Sequence, residues 1–218
     1  RSEFFDQRFA ALLDEPFGEH IHRIQDLKSE MSEAAKIRLL KSYFQHFSIS
    51  LQLSNQAAEF LKNDLLLLRI FCEKNEGADA GTITEIYKGE LFEGYLRRIS
   101  QSFSDKHKRN IVPVLHEIAK AMLGSGNFST VSLRGFDAEQ FDVIDKLTTA
   151  DIFLRREVPD DGLSSIGAEN ISFIYDELRD FIVADYVVST LRHSNFNEVE
   201  RLFSGLADLP IREGLFRY

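Results

Sequence analysis

Residues 171–184, ISFIYDELRDFIVA, decide how this chain folds, because a strand pattern passes directly into a helix pattern within them. Residues 171–175 are mostly apolar or aromatic and predict a strand. From Tyr175 onward the apolar residues recur at helical spacing, which predicts a helix to about Leu191. Carboxylates near the start of this helix are favoured by its dipole, so stability alone explains three of them: Asp176, Glu177 and Asp180.

The segments before this strand predict the rest of a small mixed unit. They are a solvated connector over 106–109, a helix over 110–123, a short strand over 128–133, a helix from the cap residue Asp137 to Leu147, and a strand over 152–158. A turn over 159–162 and a polar loop join the last strand to residues 171–175. The resulting order of helix, strand, helix, hairpin and helix is that of a winged-helix domain.

The first half of the chain carries helical spacing almost throughout. We predict helices over 3–13, from the cap Ser32 to Phe47, over 54–61, over 65–72, and from a capping box at Thr82–Glu85 to about Phe103. The 65–72 segment is apolar nearly all round, which indicates a helix buried on every side.

We therefore expect a mainly α protein in which a helical bundle, the lid, precedes a winged-helix domain with a small β-hairpin. The predicted regions are 1–105 for the helical lid, 106–192 for the winged-helix domain, and 193–218 for the start of a C-terminal helical region or repeat array. A capping signal at Asn195 predicts one more helix, to about Phe203.

Composition narrows the functional classes. The 218 residues are 44% hydrophobic, which excludes wholesale disorder, and the single Cys72 excludes an intramolecular disulfide framework. The net charge of -9 argues against a general binder of nucleic acid or anionic membranes, since both need positive potential. The chain begins at Arg1 rather than at a methionine, so we expect it to be part of a longer protein. It has no signal segment and no apolar run of ~20 residues, so we expect that protein to be cytoplasmic.

The common catalytic motifs are missing from the sequence. None of the 12 glycines is followed by lysine, so the phosphate-binding loop G-x-x-x-x-G-K-[ST] is absent. Residues 162–167, GLSSIG, do not form the G-x-S-x-G nucleophile elbow. His20 and His22 have no third ligand nearby in sequence, and Cys72 has no activating histidine close to it. We expect no catalytic residue and no metal site in this chain.

A winged helix also suggests DNA binding, which the local charge tests. Residues 136–161, which include the candidate recognition helix, hold eight acidic and three basic side chains, a local net charge of -5. That surface would repel the phosphate backbone. A DNA-binding transcriptional regulator therefore stays an alternative, as does a protein-interaction scaffold without catalytic activity.

Two segments resemble a known family. Residues 172–184, SFIYDELRDFIVA, are similar to the signature Phe-x-His-x-x-x-x-(Glu/Asp)-(Tyr/Phe)-x-x-Ala that closes the winged helix of STAND ATPases (signal-transduction ATPases with numerous domains), especially the NACHT branch. Residues 60–73, FLKNDLLLLRIFCE, resemble the family's helical-lid segment, usually spelled Asn-Pro-Leu-Leu-Leu. The resemblance covers about residues 35–190, and the order and spacing of the two segments support it.

The resemblance implies a nucleotide-controlled switch. In this family an upstream P-loop core binds ADP or ATP with Mg, and the lid and winged helix fold over it. The signature His reaches the β-phosphate of ADP and the lid Pro packs at the adenine, which makes Tyr175, Asn63 and Asp64 the candidate cofactor-binding residues here. Exchange for ATP releases the winged helix and permits homo-oligomerisation, downstream repeats sense the trigger, and members commonly serve immunity, including antiviral defence in bacteria.

This sequence departs from the family pattern at both key positions. Tyr175 stands where the family has His, and Asp64 stands where it has Pro. A Tyr hydroxyl can still donate a hydrogen bond to a phosphate, although it carries no charge near neutral pH. Two structural alternatives stay open: Tyr175 packs on Phe173 and Phe181, and Asp64 is an ordinary carboxylate at a helix N-terminus.

Overall fold

The computed structural model describes residues 31–157, 169–192, 197, 200, 204–205, 211–215 and 217–218. Within these ranges the protein is mainly helical, with two small sheets. The chain divides into two compact units, Arg1–Glu85 and Ile86–Tyr218, which we describe separately. The predicted helix over 3–13, His20, His22, the 159–162 turn and most of the helix predicted from Asn195 lie outside the described residues.

The described part of the first unit is a set of three helices with one short parallel strand pair. Its elements are α1 (Glu33–His46), β1 (Gln52–Leu53), α2 (Asn55–Lys62), α3 (Leu65–Lys74) and β2 (Thr82–Ile83). Side chains that precede the three helices cap them, as the sequence predicts for Ser32: Ser32 accepts from Ala35 N, Ser54 from Ala57 N and Asp64 from Leu67 N.

Helix α3 supplies the core of the first unit. Five of its ten residues are buried: Leu67, Leu68, Ile70, Phe71 and Cys72. The prediction of a helix buried on every side is wrong for one face, because Leu65, Arg69 and Glu73 along that face are only half-buried. The Phe71 ring stacks on Phe44 of α1 with the ring centroids 5.9 Å apart. This contact anchors α1 on α3.

The second unit places a three-stranded antiparallel sheet beside a helical core. Its described elements are α4 (Lys88–Gln101), α5 (Asp105–Ser125), β3 (Val131–Ser132), α6 (Ala138–Thr149), β4 (Phe153–Glu157), β5 (Glu169–Phe173), α7 (Asp176–Leu191) and α8 (Arg212–Leu215). The strand order is β3-β5-β4, with Val131 opposite Ile171 and Phe153 opposite Phe173. The last strand in sequence is therefore the central one.

Helix α5 is the centre of the second unit and packs against both α6 and α7. It buries Ile118, Ala119 and Met122, while α6 buries Val143, Ile144 and Leu147. On the sheet, the rings of Phe153 and Phe173 meet edge to face at 4.8 Å. Helix α6 begins with a complete capping box between Asp137 and Gln140, which confirms the predicted start of that helix.

One predicted helix start is wrong. The sequence of Thr82–Glu85 predicts a capping box, but Thr82 and Ile83 form β2, and α4 begins at Lys88. Strand β2 pairs in parallel with Gln52 and Leu53 of β1, and Ser54 Oγ donates a hydrogen bond of 2.6 Å to Thr84 O. The β-branched residues therefore satisfy their backbone through a partner thirty residues away rather than through a helix.

A predicted connector is also wrong. Residues 106–109 form the first turn of α5, which begins at Asp105 rather than near Asn110. Ser104, at the cap position, places its Oγ 2.6 Å from His107 Nδ1, and Lys106 Nζ lies 2.8 Å from Glu139 Oε1 on α6. These local contacts allow a strongly basic run to be helical.

The boundary between the compact units lies at Glu85, whereas the sequence predicts a lid region that continues to residue 105. The reason is that α4 packs against α5 and α7 within the second unit.

Among the helices described, none combines the length and the apolar character needed to cross a bilayer.

The turn after α5 offers a paired test of backbone conformation. Gly126 ends α5 with φ +66°, while Gly124 lies inside the helix, and a Cβ at either position meets no atom within 4 Å. We expect Gly126→Ala to destabilise the protein by about 1 kcal/mol, because alanine is strained in the left-handed region. Gly124→Ala should instead stabilise it by up to about 1 kcal/mol.

Urea denaturation followed by circular dichroism measures both variants. Because neither new methyl group makes a contact, changes of opposite sign in the free energy of unfolding would come from the backbone conformation alone. Equal destabilisation by both substitutions would contradict the assigned end of α5.

Candidate functional site

The corner between β5 and α7 holds the candidate residue Tyr175. Ile174 N donates to Ile152 O at 3.0 Å, and Tyr175 O accepts from Arg179 N at 3.1 Å, so the backbone is fixed on both sides. Tyr175 occupies the N-cap position with extended backbone (φ −119°, ψ 120°), and its side chain does not cap the helix. Tyr175 is half-buried.

Arg179, one turn into α7, holds this corner together. Its guanidinium group donates to Asp176 Oδ1 at 2.9 Å, to Phe128 O at 3.1 Å, and to Asp180 Oδ1 at 2.7 and 3.0 Å. The Arg179 side chain is only 14% exposed. It therefore ties the first turn of α7 to the loop before β3. Sequence reasoning did not single Arg179 out, although its spacing of three from Asp176 is the signal of a helical ion pair.

The aromatic residues on either side of Tyr175 pack in different directions. Phe173 meets Phe153 on the sheet, while Phe181 meets Phe92 of α4 at a centroid distance of 5.6 Å. The corner is consequently built on two aromatic contacts, one toward the sheet and one toward α4.

The other two candidate residues form the break between α2 and α3 in the first unit. Asp64 caps α3, with its Oδ1 accepting a hydrogen bond of 3.1 Å from Leu67 N, which is the structural alternative that the sequence leaves open for it. Asn63 ends α2 and uses both halves of its amide: Nδ2 donates to Glu59, and Oδ1 accepts from Lys36 Nζ at 3.1 Å. Asn63 and Asp64 thus lie side by side at one corner, whereas Tyr175 belongs to the second unit.

Two lysines and two glutamates surround Asn63. Lys36 Nζ lies 3.2 Å from Glu33 Oε1, and Lys62 Nζ lies 2.5 Å from both Glu33 Oε2 and Glu59 Oε2. The Lys36 side chain is only 6% exposed, so its charge requires these partners. Since the two positive and two negative charges cancel, the cluster offers no net charge to a phosphate group.

Hydrogen bonds within this cluster shift its titration. The hydrogen bonds from Lys62, and then from Lys36, lower the pKa of Glu33 from its ordinary 4.5. Hydrogen bonds from Lys62 and Asn63 lower the pKa of Glu59 in the same direction. The hydrogen bonds to Glu33 and Glu59 raise the pKa of Lys62 above 10.5. All three groups are thus held in their charged forms.

Nucleophilic and metal-dependent chemistry find no support in the described residues. Cys72 lies in the core of the first unit, where burial raises the pKa of its thiol to about 12 and so disfavours the reactive thiolate. Among the described residues, no group of three or more His, Cys, Asp or Glu side chains is arranged to hold a metal ion.

The acidic surface on α6 and β4 is internally paired. Arg155 of β4 pairs with Asp145 of α6, and it lies 3.1 Å from Glu169 of β5. Lys106 of α5 pairs with Glu139 of α6. These cations already neutralise neighbouring carboxylates, so the surface presents acidic rather than basic character to a partner.

The lysine–glutamate cluster predicts a pH dependence for the first unit. A carboxylate with a lowered folded-state pKa contributes stability that is complete above the unfolded value of about 4.5 and is lost as pH falls through the folded value. We therefore expect the protection of amides in α1 and α2, relative to the intrinsic exchange rate at each pH, to fall progressively below about pH 4.5. Hydrogen-exchange mass spectrometry between pH 3 and about 6 measures this change.

Glu33→Gln should reduce that acid sensitivity, because glutamine does not titrate. Asp79→Asn, at an exposed position of the same unit, is the matched control and should leave the sensitivity intact. An unchanged acid response in Glu33→Gln would show that the cluster does not couple α1 to α2.

The comparisons with known proteins do not identify a family for this chain. No protein-family model matches this chain, and no curated protein matches it at a significant level.

Proposed function

We propose that this chain is the regulatory arm of a STAND ATPase of the NACHT type. In this proposal the first unit belongs to the helical lid and the second unit is the winged-helix domain. The arm closes over ADP, or ATP with Mg, held by a P-loop core outside this chain. The chain itself supplies contact and movement rather than catalysis.

The observation that carries the proposal is the topology around Tyr175. The succession of α5, α6, the β4–β5 pair and α7, with β3 added at the edge of the sheet, supports the order of helix, helix, hairpin and helix that the sequence predicts for a winged helix. The family's signature position falls on the N-cap of α7, at the rim of that unit. A residue there can approach a partner docked on the corner without disturbing the core.

The break between α2 and α3 supports the same proposal. The family's lid segment begins a leucine-rich helix after an Asn-Pro pair, and here α3 begins directly after Asn63 and Asp64. Asp64 starts the helix by capping it, whereas proline would do so through its fixed φ angle. The two residue types thus provide different local solutions to the same helix start.

Each site residue would have a separate role in the closed state. Tyr175 would donate its phenolic hydrogen to an oxygen of the nucleotide's β-phosphate. Asn63 and Asp64 would present the lid corner near the adenine, and Asp64 would act through the position of α3 because its carboxylate is engaged in the cap. Release of these contacts would free the arm for homo-oligomerisation in cytoplasmic signalling or antiviral defence, under the control of downstream sensor repeats.

The charge distribution favours this function over DNA binding. The surface that would enter a DNA groove is acidic, and Arg155 and Lys106 are engaged with carboxylates. Nucleic-acid binding requires positive charge to neutralise phosphates.

The first test uses the chain as it stands. We expect no ATP hydrolysis above the buffer control in the presence of magnesium, because no phosphate-binding loop is present in the sequence. A phosphate-release assay measures it. Turnover that follows the purified chain through gel filtration would overturn the assignment of catalysis to another domain.

The second test reads the coding sequence upstream of Arg1. A STAND arm requires a G-x-x-x-x-G-K-[ST] motif in the preceding few hundred residues. An upstream reading frame without that motif would overturn the proposal and favour a scaffold without a switch.

The third test concerns Tyr175 in the longer protein. We expect Tyr175→Phe to weaken ADP binding about two- to tenfold, the range for loss of one hydrogen bond. Tyr186→Phe, farther along α7 where its ring meets His116, is the matched control and should leave the affinity unchanged. Isothermal titration calorimetry distinguishes the two variants, and equal ADP affinity in both would remove Tyr175 from the site.

A further inference from the structure

A short segment after α7 packs on α4 and α7. We call its described residues, 211–215 and 217–218, the strap. Ile211 is only 2% exposed, and α8 packs directly against α7. Leu215 N donates to Ile211 O at 3.0 Å and Arg217 N donates to Gly214 O at 3.1 Å, so the strap has a defined backbone conformation.

Gly214 is the closest point of contact between the strap and α7. A Cβ added at Gly214 would overlap the carboxylate of Asp180 and would lie only 3.0 Å from the Cβ of Asp180. The Asp180 side chain is itself buried and is fixed through Oδ1 by Arg179. The carboxylate therefore cannot move aside without breaking its ion pair, and the strap can dock only because residue 214 lacks a side chain.

Two further contacts fasten the strap to α4 as well as to α7. The Tyr218 ring meets Phe92 of α4 at 5.9 Å and Phe181 of α7 at 5.6 Å, both edge to face. Arg217 Nη1 lies 3.5 Å from Glu177 Oε1, and Lys88 of α4 also binds that carboxylate at 2.8 Å. The strap thus completes a small interface in which α4 and α7 each contribute one aromatic ring and one charged side chain.

All the strap's named partners on α7 lie within two turns of Tyr175. They are Glu177, Asp180 and Phe181. Arg179 connects them to the corner, because the same guanidinium that binds Asp180 also binds Asp176 and Phe128 O. A displacement at Asp180 therefore acts on the group that fixes the first turn of α7.

We propose that the strap is a displaceable intramolecular ligand of the α4–α7 surface, and that its docking holds the start of α7 and the Tyr175 corner in their ordered arrangement. Its one described helix, α8, has only four residues, and its ion pair with Glu177 is half-exposed, so little local structure holds the strap in place. Such a segment can detach without unfolding the core. Displacement of the strap would then loosen the corner.

The test is hydrogen exchange of the full chain with Gly214→Ala. The new methyl group would overlap the Asp180 carboxylate, so we expect exchange of the strap amides to accelerate about tenfold or more. Peptides that cover residues 174–182 should accelerate as well, while peptides from α6 should not change. Gly205→Ala is the matched control, since a Cβ there meets nothing within 4 Å.

A second pair of variants removes the dependence on a single substitution. Tyr218→Ala, which deletes the aromatic contact without a clash, should accelerate the same two regions. Arg217→Ala, which removes the half-exposed ion pair with Glu177, should accelerate them to a smaller extent. Circular dichroism confirms that each variant retains its helices.

Two results would overturn the inference. Unchanged exchange of the strap in Gly214→Ala would show that it does not dock through Gly214, and faster exchange confined to the strap would show that it does not hold the corner. Neither result involves nucleotide, so the proposed STAND function would survive both. Conversely, failure to find a P-loop upstream would leave the strap measurement unaffected.

Discussion

The hydrogen bonds of the Arg179 guanidinium group are the contacts on which the β5–α7 corner of the second unit most depends. A cation with 14% exposure is tolerated only where its donors meet acceptors, and Arg179 finds them on Asp176, Asp180 and the Phe128 carbonyl. These acceptors belong to α7 and to the loop before β3. Arg179 therefore acts together with the backbone hydrogen bonds and aromatic contacts of the corner to fix the direction in which α7 leaves the sheet.

The candidate residues of the two units differ in how their polar groups are used. Between α2 and α3, the side chains of Asn63 and Asp64 bind helix ends and the Lys36 ammonium group. They can influence a ligand mainly by fixing where α3 begins. At the β5–α7 corner, Tyr175 occupies the N-cap position, but its side chain does not cap α7. The proposed function therefore assigns direct nucleotide contact to Tyr175 and a positioning role to Asn63 and Asp64.

Local signals in the sequence were sufficient for much of the fold. Ser32 and Asp137 cap helices where their spacing indicates, because a cap involves only residues three positions apart. Helix α3 was likewise predictable from the apolar residues within the helix itself. The prediction of a capping box at Thr82–Glu85 was wrong because the partner of this segment, β1, lies thirty residues earlier in the chain. No local rule favours that strand pairing over a capping box.

The candidate site shows the same division between local and distant information. The position of Tyr175 at a strand–helix corner follows from the adjoining patterns of residues 171–184. The contact between Gly214 and Asp180 could not be anticipated, because 34 residues separate them and a lone glycine carries no mark of its partner. The same holds for Phe92 and Tyr218, at opposite ends of the second unit's sequence.

The magnitudes limit what Tyr175 can do in a switch. Reversing a conformational equilibrium from 1:99 to 99:1 requires about 5.5 kcal/mol of differential binding. One neutral hydrogen bond contributes about 0.5 to 1.5 kcal/mol net, so a phenol in place of a charged imidazole cannot drive such a change alone. Most of the difference must come from surface that is covered in one state and exposed in the other. In the proposed switch, the α4–α7 surface under the strap, with two aromatic rings and a shared ion pair beside the corner, would supply apolar contact of this kind.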